Sequence, residues 1–353
     1  MLYYITTVKI KNNQQELISF FIDFPLKIVI VTSKKADARR SLFDLEYMEY
    51  IMYYYSLNEY LKSTFGEKVY KISLNGGMTC PNRDGTLSTK GCIFCSKGGS
   101  GEFSADKMLS VTEQIKQAKQ RIKAKTDCEK FIAYFQPFTN TYADIPYLRK
   151  IFYEAIDNPE IAVLSIATRP DCLGNDVLRL LDELKRIKPV WVELGLQTIH
   201  KNTAEYIRRC YELEVYDKAV ENLKEIGVTV VTHIILGLPF ETKEMMLESV
   251  KYAGERSDGI KLQLLHVLKD TDLLNDYNEG LFKTLSMEEY IDILCDCIEI
   301  LPKNVVIHRL TGDGNKKLLV APLWSTDKKR VLNSINKAFI ERNIVQGSKY
   351  NGN

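Results

Sequence analysis

Between Tyr70 and Leu310 short runs of β-branched and aromatic residues alternate with amphipathic stretches of helical length, and no other property of the chain restricts its fold so strongly. Strands are expected at Tyr70 to Leu74, Phe131 to Gln136, Ala162 to Thr168, Val190 to Gln197, Thr229 to Leu236, Ile260 to Val267 and Val305 to Leu310. Helices are expected at 111–125, 147–158, 176–188, 214–226, 243–256 and 287–300. Strands separated by single helices build right-handed βαβ units, and the strands of such units are parallel. Six or seven units close naturally into a full or partial (β/α) barrel, although the pattern alone also admits an open doubly wound sheet. At 353 residues and 45% hydrophobic content the chain can bury a core of barrel size.

Polar or glycine-rich residues follow almost every strand. A cysteine-bearing loop follows the first, Gln136-Pro-Phe-Thr139-Asn140-Thr141-Tyr142 the second, and Thr168-Arg169-Pro170-Asp171 the third. Gln197-Thr198 ends the fourth, Gly237-Leu-Pro239 the fifth, and His266 stands at the end of the sixth. In a parallel barrel these carboxyl ends meet at one mouth, where active sites are built.

The cysteine loop carries the chemistry. Cys80, Cys92 and Cys95 lie within one segment rich in Gly, Asn, Asp, Ser and Lys, too polar for a buried core. Three thiolates from one loop can hold a metal centre and leave one position for a reacting ligand, as an iron–sulfur site would. A zinc site needs a fourth ligand, and no His lies between Tyr70 and Phe131. Spacing alone leaves iron–sulfur, zinc and simple thiols open.

The other five of the eight cysteines are scattered through periodic apolar segments, with no secretory signal ahead of them. That usage favours a reducing, cytoplasmic setting. The apolar stretch from Leu17 to Thr32 is interrupted by Asp23, Pro25 and Lys27 and is too short to span a bilayer, so no membrane segment is expected. Residues 1–51 differ in character from the rest and read as an N-terminal extension, either an accessory or disordered segment or a start placed too far upstream. Residues 52–304 form the expected core domain and residues 305–353 a basic C-terminal extension.

Four motifs, taken in order, carry a resemblance: the Cys80, Cys92, Cys95 loop, Ala167-Thr-Arg169-Pro-Asp171, Glu193-Leu-Gly-Leu-Gln197-Thr, and His233-Ile-Ile-Leu-Gly237-Leu-Pro239-Phe-Glu241-Thr. The chain resembles the radical S-adenosylmethionine (radical SAM) superfamily, specifically the YhcC-like subgroup related to the radical SAM domain of the Elongator catalytic subunit. The resemblance covers roughly residues 52–330. The first cysteine spacing is eleven residues where the superfamily usually has three, and Gln136-Pro-Phe-Thr139-Asn140-Thr141 replaces its Gly-Gly-Glu-like turn.

The resemblance implies an α/β fold, a partial (β/α)6-type barrel with N- and C-terminal extensions. It implies a [4Fe-4S] cluster on Cys80, Cys92 and Cys95, with one iron open to the amino and carboxylate groups of S-adenosyl-L-methionine. One electron passed into the sulfonium would yield a 5′-deoxyadenosyl radical that abstracts hydrogen from the substrate. Gln136, Thr139 and Asn140 would meet the methionine amino group, Glu193 and Gln197 the ribose hydroxyls, and Gly237 and Pro239 the adenine, while His266 lies at the barrel mouth. For Glu193 the competing expectation is an ion pair inside the barrel, and for Arg169 a pair with Asp171. A reducing protein such as flavodoxin or ferredoxin would be the electron donor.

Residues 301–353 carry a charge balance of +7, against −5 over the first 300. Lys316, Lys317, Lys328, Lys329, Arg330 and Lys337, with Trp324 among them, either engage a phosphate backbone or form the solvated face of an amphipathic helix. Because the Elongator-like relatives act on wobble uridines, the resemblance points to modification of a transfer RNA (tRNA) base. A small metabolite or peptide is the alternative substrate, and a zinc-stapled RNA-binding module without catalysis the alternative of another class.

Overall fold

The computed structural model describes residues 53–123, 128–312 and 314–352, and three strands nearer the N-terminus. Those strands, β1 (Tyr4–Val8), β2 (Gln15–Phe21) and β3 (Lys27–Ser33), pair antiparallel in the order β1-β2-β3. The rest of residues 1–51, and the question of where the domain starts, lie outside the described residues.

From Leu57 onward the elements follow the expected rhythm. Helix α1 (Leu57–Phe65) leads into β4 (Val69–Leu74), α2 (Val111–Lys123), β5 (Lys130–Phe135) and α3 (Ile145–Ile156). Then come β6 (Ile161–Thr168), α4 (Asn175–Lys185), β7 (Val190–Gln197), the short α5 (Lys201–Tyr206) and α6 (Leu213–Glu225). They are followed by β8 (Thr229–Leu236), α7 (Lys243–Arg256), β9 (Gly259–Leu264), β10 (Val267–Leu268), α8 (Asp272–Asn278) and α9 (Met287–Ile300). The chain finishes with β11 (Val306–Arg309), β12 (Leu319–Ala321) and α10 (Lys328–Glu341). Seven parallel strands form one curled sheet in the order β11-β9-β8-β7-β6-β5-β4, which is the partial barrel expected.

Strand alternation sorts the residues into two cores. Outward-facing Phe131, Ala133, Phe135, Val192, Leu194, Ile234 and Leu262 pack under the helices in the main apolar cluster. Inward-facing Val69, Ile132, Val163 and Trp191 close the barrel floor together with Leu61 of α1. Each such side chain contributes about 1.5–3 kcal/mol of burial free energy. Two residues further up each strand the inward face turns polar, with Lys71, Tyr134, Ser165, Glu193, His233 and Lys261.

Local chemistry fixes the ends. Ser286 and Glu289 form a reciprocal capping box at the start of α9, and Gly66 ends α1 at φ 71°. The sixth strand is shorter than expected. It leaves the sheet at Leu264, and Val267–Leu268 belongs to a separate antiparallel pair with β12, so the apolar run to Val267 spans two elements with His266 between them. Strand β11, beyond the expected core boundary at 304, joins the same sheet beside β9. Helix α10 buries Val331, Ile335 and Phe339 and exposes Lys328, Lys329, Arg330 and Lys337. Trp324 Nε1 donates to the Leu285 carbonyl at 3.0 Å, so its ring is tied into the fold. No helix among the described residues is long and apolar enough to cross a membrane.

Candidate functional site

At the carboxyl ends of the strands a cavity of about 270 Å³ opens, walled on one side by the cysteine loop. The loop is held by its own backbone and by its neighbours. Arg83 N–H donates to the Cys80 carbonyl at 2.8 Å, and Cys95 N–H to the Cys92 carbonyl at 3.0 Å. Arg83 Nη2 donates to the carbonyls of Cys95 and Ser96, both at 2.7 Å. Asn82, fully buried, donates from Nδ2 to the Arg208 carbonyl at 2.7 Å and lies 3.5 Å from Cys92 Sγ. Gln114 accepts from Asn75 N–H at 2.8 Å and donates back to the Asn75 carbonyl, fixing the loop where it leaves β4.

Close backbone approach then presses the loop against the segment after β5. A Cβ on Gly99 would lie 2.4 Å from the Phe138 ring, and one on Gly101 2.4 Å from Pro137. Gly99 also has φ +59°, which only glycine adopts without strain. Phe138 N–H donates to the Gly99 carbonyl at 3.0 Å, and Gln136 Nε2 to the Ser100 carbonyl at 2.6 Å.

Cys80, Cys92 and Cys95 are unbridged and all three line the cavity. Burial, then the neighbouring Cys95 sulfur, pushes the Cys92 thiol up to about 12, with Arg169 and Asn82 opposing. Among the described residues no three His, Cys, Asp or Glu side chains are grouped as a ready single-ion site. Three thiols on one tethered loop fit a cluster held by three cysteines. Gln197 supplies a second point of fit. Its Oε1 is buried on the cavity wall without a hydrogen-bond partner, an acceptor suited to the hydroxyl or amino groups of a bound cofactor.

The remaining expected residues divide. Gln136, Thr139, Glu193, Gln197 and His266 line the cavity, whereas Asn140, Gly237 and Pro239 stand outside its lining. Asn140 Nδ2 donates to the carbonyls of Phe135 at 3.0 Å and Ala167 at 2.9 Å, tying two strand ends together. Gly237 N–H faces Met246 Sδ at 3.1 Å. Both amide atoms of Gln136 are engaged, Oε1 accepting from Ser73 at 2.8 Å. Gln197 has φ +71° at a register shift between β7 and β8, and it lines the cavity with Glu193 and Gly195, in alternation with the outward Leu194 and Leu196. His266 is covered by the loop at Gly312 and Gly314, where a Cβ would lie 2.7 and 2.6 Å from its ring.

Glu193 takes the ion-pair alternative. Its carboxylate, 1% exposed, accepts from Lys71 Nζ, Ser165 Oγ and His233 Nε2 at 2.8 Å each, and from Lys261 Nζ. Burial would raise its carboxyl, but Lys261 and Lys71 outweigh that and hold it well below the usual range. Arg169 likewise grips Asp171 with two bonds, 2.9 and 2.7 Å. Residues the motifs did not single out complete the wall: Tyr134, Lys261, Arg309 and Arg209, the last 4% exposed and donating to the Thr198 carbonyl at 2.6 Å. Polar residues at inward strand positions were the available signal for Tyr134 and Lys261. Arg209 lies between Arg208 and Cys210, both at positive φ, a turn with no glycine to announce it.

The sequence model of the Radical SAM superfamily matches residues 80–253, and that of the Radical_SAM C-terminal domain residues 257–341. YtqA of Bacillus subtilis (strain 168) is 43% identical over 295 residues, which is 83% of this chain and 92% of the relative. YhcC of Escherichia coli (strain K12) is 34% identical over 82% of this chain and 92% of its own length. A tRNA uridine(34) acetyltransferase of Methanocaldococcus jannaschii is 30% identical over 42% of this chain and 28% of its own. Among solved structures, Methanocaldococcus infernus Elp3 with an N-terminal deletion superposes with a TM-score of 0.59 at 18% identity, covering 79% of this chain and 64% of that one.

Proposed function

The chain belongs to the radical SAM superfamily and is a radical SAM enzyme, and from that premise we propose that it modifies a base of tRNA, the wobble uridine being the leading candidate. The observation that carries this reading is the stretch of 154 residues similar to a tRNA uridine(34) acetyltransferase. Family membership removes the zinc-stapled binding module, and a small metabolite or peptide remains as an outcome of the test.

When bound, the [4Fe-4S] cluster and S-adenosyl-L-methionine supply a one-electron cleavage that generates a carbon radical for hydrogen abstraction. The chain's own residues do the rest. Cys80, Cys92 and Cys95 hold the cluster, and Arg83 and Asn82 fix the backbone between them. Thr139 and Gln197 orient the cofactor from the wall, Thr139 being 1% exposed and on the cavity lining. Gln136, Gly99 and Gly101 hold the loop against the second strand and exclude water from that side. Gly312 and Gly314 close over His266 at the far side. The electrons come from a reducing protein of flavodoxin or ferredoxin type in a cytoplasmic setting.

The test is 5′-deoxyadenosine release by anaerobically reconstituted protein, with Cys92→Ala as control, together with nucleoside analysis of tRNA from a deletion strain. Release that Cys92→Ala abolishes, with one altered wobble nucleoside, is the expected result. Release with an unchanged tRNA nucleoside profile would move the substrate to a small molecule or peptide.

A further inference from the structure

Between the apolar floor of the barrel and the cysteine mouth lies a charged layer that the roles above leave unused. Lys71 on β4 and Lys261 on β9 both bond Glu193 on β7, one to each carboxylate oxygen. The guanidinium of Arg309, at the end of β11, lines the same wall. Two ammoniums thus share one carboxylate, and the two histidines of the layer do not add acid character or charge. Burial, with Lys261 beside it, pushes His233 down to about 4, and burial with Lys71 holds His308 well below its ordinary value. Tyr134 completes the set, its hydroxyl accepting from Lys261 at 3.2 Å.

We propose that this layer is the receiving site for an anionic group of the substrate, a carboxylate or a phosphate, with Lys261 as its principal contact. Three observations carry the assignment. First, Lys261, Glu193, Tyr134, His233 and Arg309 all line the cavity, so the layer is reached from the mouth where the cofactors bind. Second, Lys71 and Lys261 share the single carboxylate of Glu193 in a place where Lys261 is 3% exposed, so with both lysines protonated one of the two charges has no match in Glu193, and a buried charge of that kind is costly unless a partner of opposite sign arrives. A plug built only for stability would match its charges. Third, an ammonium has three donors, and the bonds of Lys261 to Glu193 and Tyr134 use two, leaving one for a ligand. Burial together with Lys71 and Arg309 holds the Lys261 ammonium well below its ordinary value, with Glu193 opposing. An arriving anion reverses that imbalance, so its binding favours the protonated form of Lys261.

The proposal deepens the RNA reading by naming a property of the substrate, and it rests on that reading only for which molecule carries the anion. Its test needs neither RNA nor turnover. Reconstituted protein saturated with S-adenosyl-L-methionine, without reductant, is titrated calorimetrically with sodium acetate and with sodium phosphate, each replacing chloride at constant ionic strength. We expect one saturable site per chain, weakened at least about tenfold by Lys261→Met. Lys71 lies outside the cavity lining, and Lys71→Met, which removes the other ammonium bonded to Glu193, should weaken binding less than Lys261→Met. Saturation by acetate alone identifies a carboxylate, saturation by phosphate alone a phosphoryl group, and saturation by both a site that reads charge. Absence of saturable binding in folded wild-type protein, or equal binding in wild type and both variants, overturns the proposal. An unchanged tRNA profile together with lysine-dependent anion binding would sink the RNA reading and leave this one standing.

Discussion

Replacing Glu193 by glutamine keeps the volume of the side chain and removes the charge on which the barrel's inner layer is centred. In the native chain four donors converge on that carboxylate, three of them at 2.8 Å, and it is 1% exposed. With the charge gone, the ammoniums of Lys71 and Lys261 lose the carboxylate they share. Breaking a buried pair by removing one partner costs about 3–5 kcal/mol. For a folded unit of this size that corresponds to a fall in melting temperature of roughly 5–15 °C. The deficit shrinks as pH rises. Lys261, held well below its ordinary value chiefly by burial, loses its proton still more easily in the folded chain once Glu193 no longer opposes, so the unfolded chain binds more protons below about pH 10.4 and stability increases with pH. In the Glu193→Gln/Lys261→Met double variant the repelling charge is also removed, and at least half of the lost stability should return. Calorimetric melting of wild type, both single variants and the double variant at two pH values measures all of this. A Glu193→Gln protein that melts within about 2 °C of wild type, or strictly additive single effects, would refute the account of the layer.

Two further outcomes are expected. Gly99→Ala places a methyl group 2.4 Å from the Phe138 ring on a backbone at φ +59°, so loop stability should fall by about 1–3 kcal/mol. Iron retained per chain after reconstitution and desalting should drop in parallel, and wild-type iron retention would contradict it. His233, pushed down to about 4 mainly by burial, stays neutral in the folded chain while the unfolded chain protonates near pH 6.5. Stability should then decline by up to about 3 kcal/mol as pH falls from 6.5 to 4, and a urea-midpoint slope unchanged by His233→Gln would count against it.

The barrel was legible because its strands announce themselves twice, by β-branched runs and by the polar residues that follow them. β7 and β8 match their expected spans at both ends, β4 and β6 start one residue earlier than expected, and β5 is shifted by one residue at both ends. What could not be read is where an apolar run serves two elements. Leu265-His266-Val267 continues the composition of β9, yet hydrogen bonding, not composition, ends the parallel ladder and begins β10. The site divides in the same way. Cysteines declare themselves by residue type, and the loop that carries them declares itself by glycine. The partners of Glu193 come from β4, β6, β8 and β9, and such a meeting depends on register around the whole sheet. Gln197 shares the cavity face with Glu193, as a spacing of four on a strand implies, while its positive φ at the register shift has no signal in the residue type. The C-terminal helix kept its basic face exposed, while Trp324 was drawn into a hydrogen bond that charge counting cannot foresee.

The edge strand β11 has no sheet neighbour on its outer side, and residues near the two ends of the described domain supply one. Ile307 N–H donates to the Tyr55 carbonyl at 2.8 Å, while Gln346 accepts from Tyr55 N–H at 2.7 Å and donates to the carbonyls of Pro302 and Val305. This clasp joins residues 291 positions apart. On the ribosome it cannot form until about 250 residues after Cys95 have been added, a delay on the order of 10–50 s at ordinary elongation rates. Until then the sheet that carries the three thiols lacks the contact that secures its last strand. The order of synthesis therefore makes the C-terminal segment the last part of the chain needed to complete the edge of the barrel.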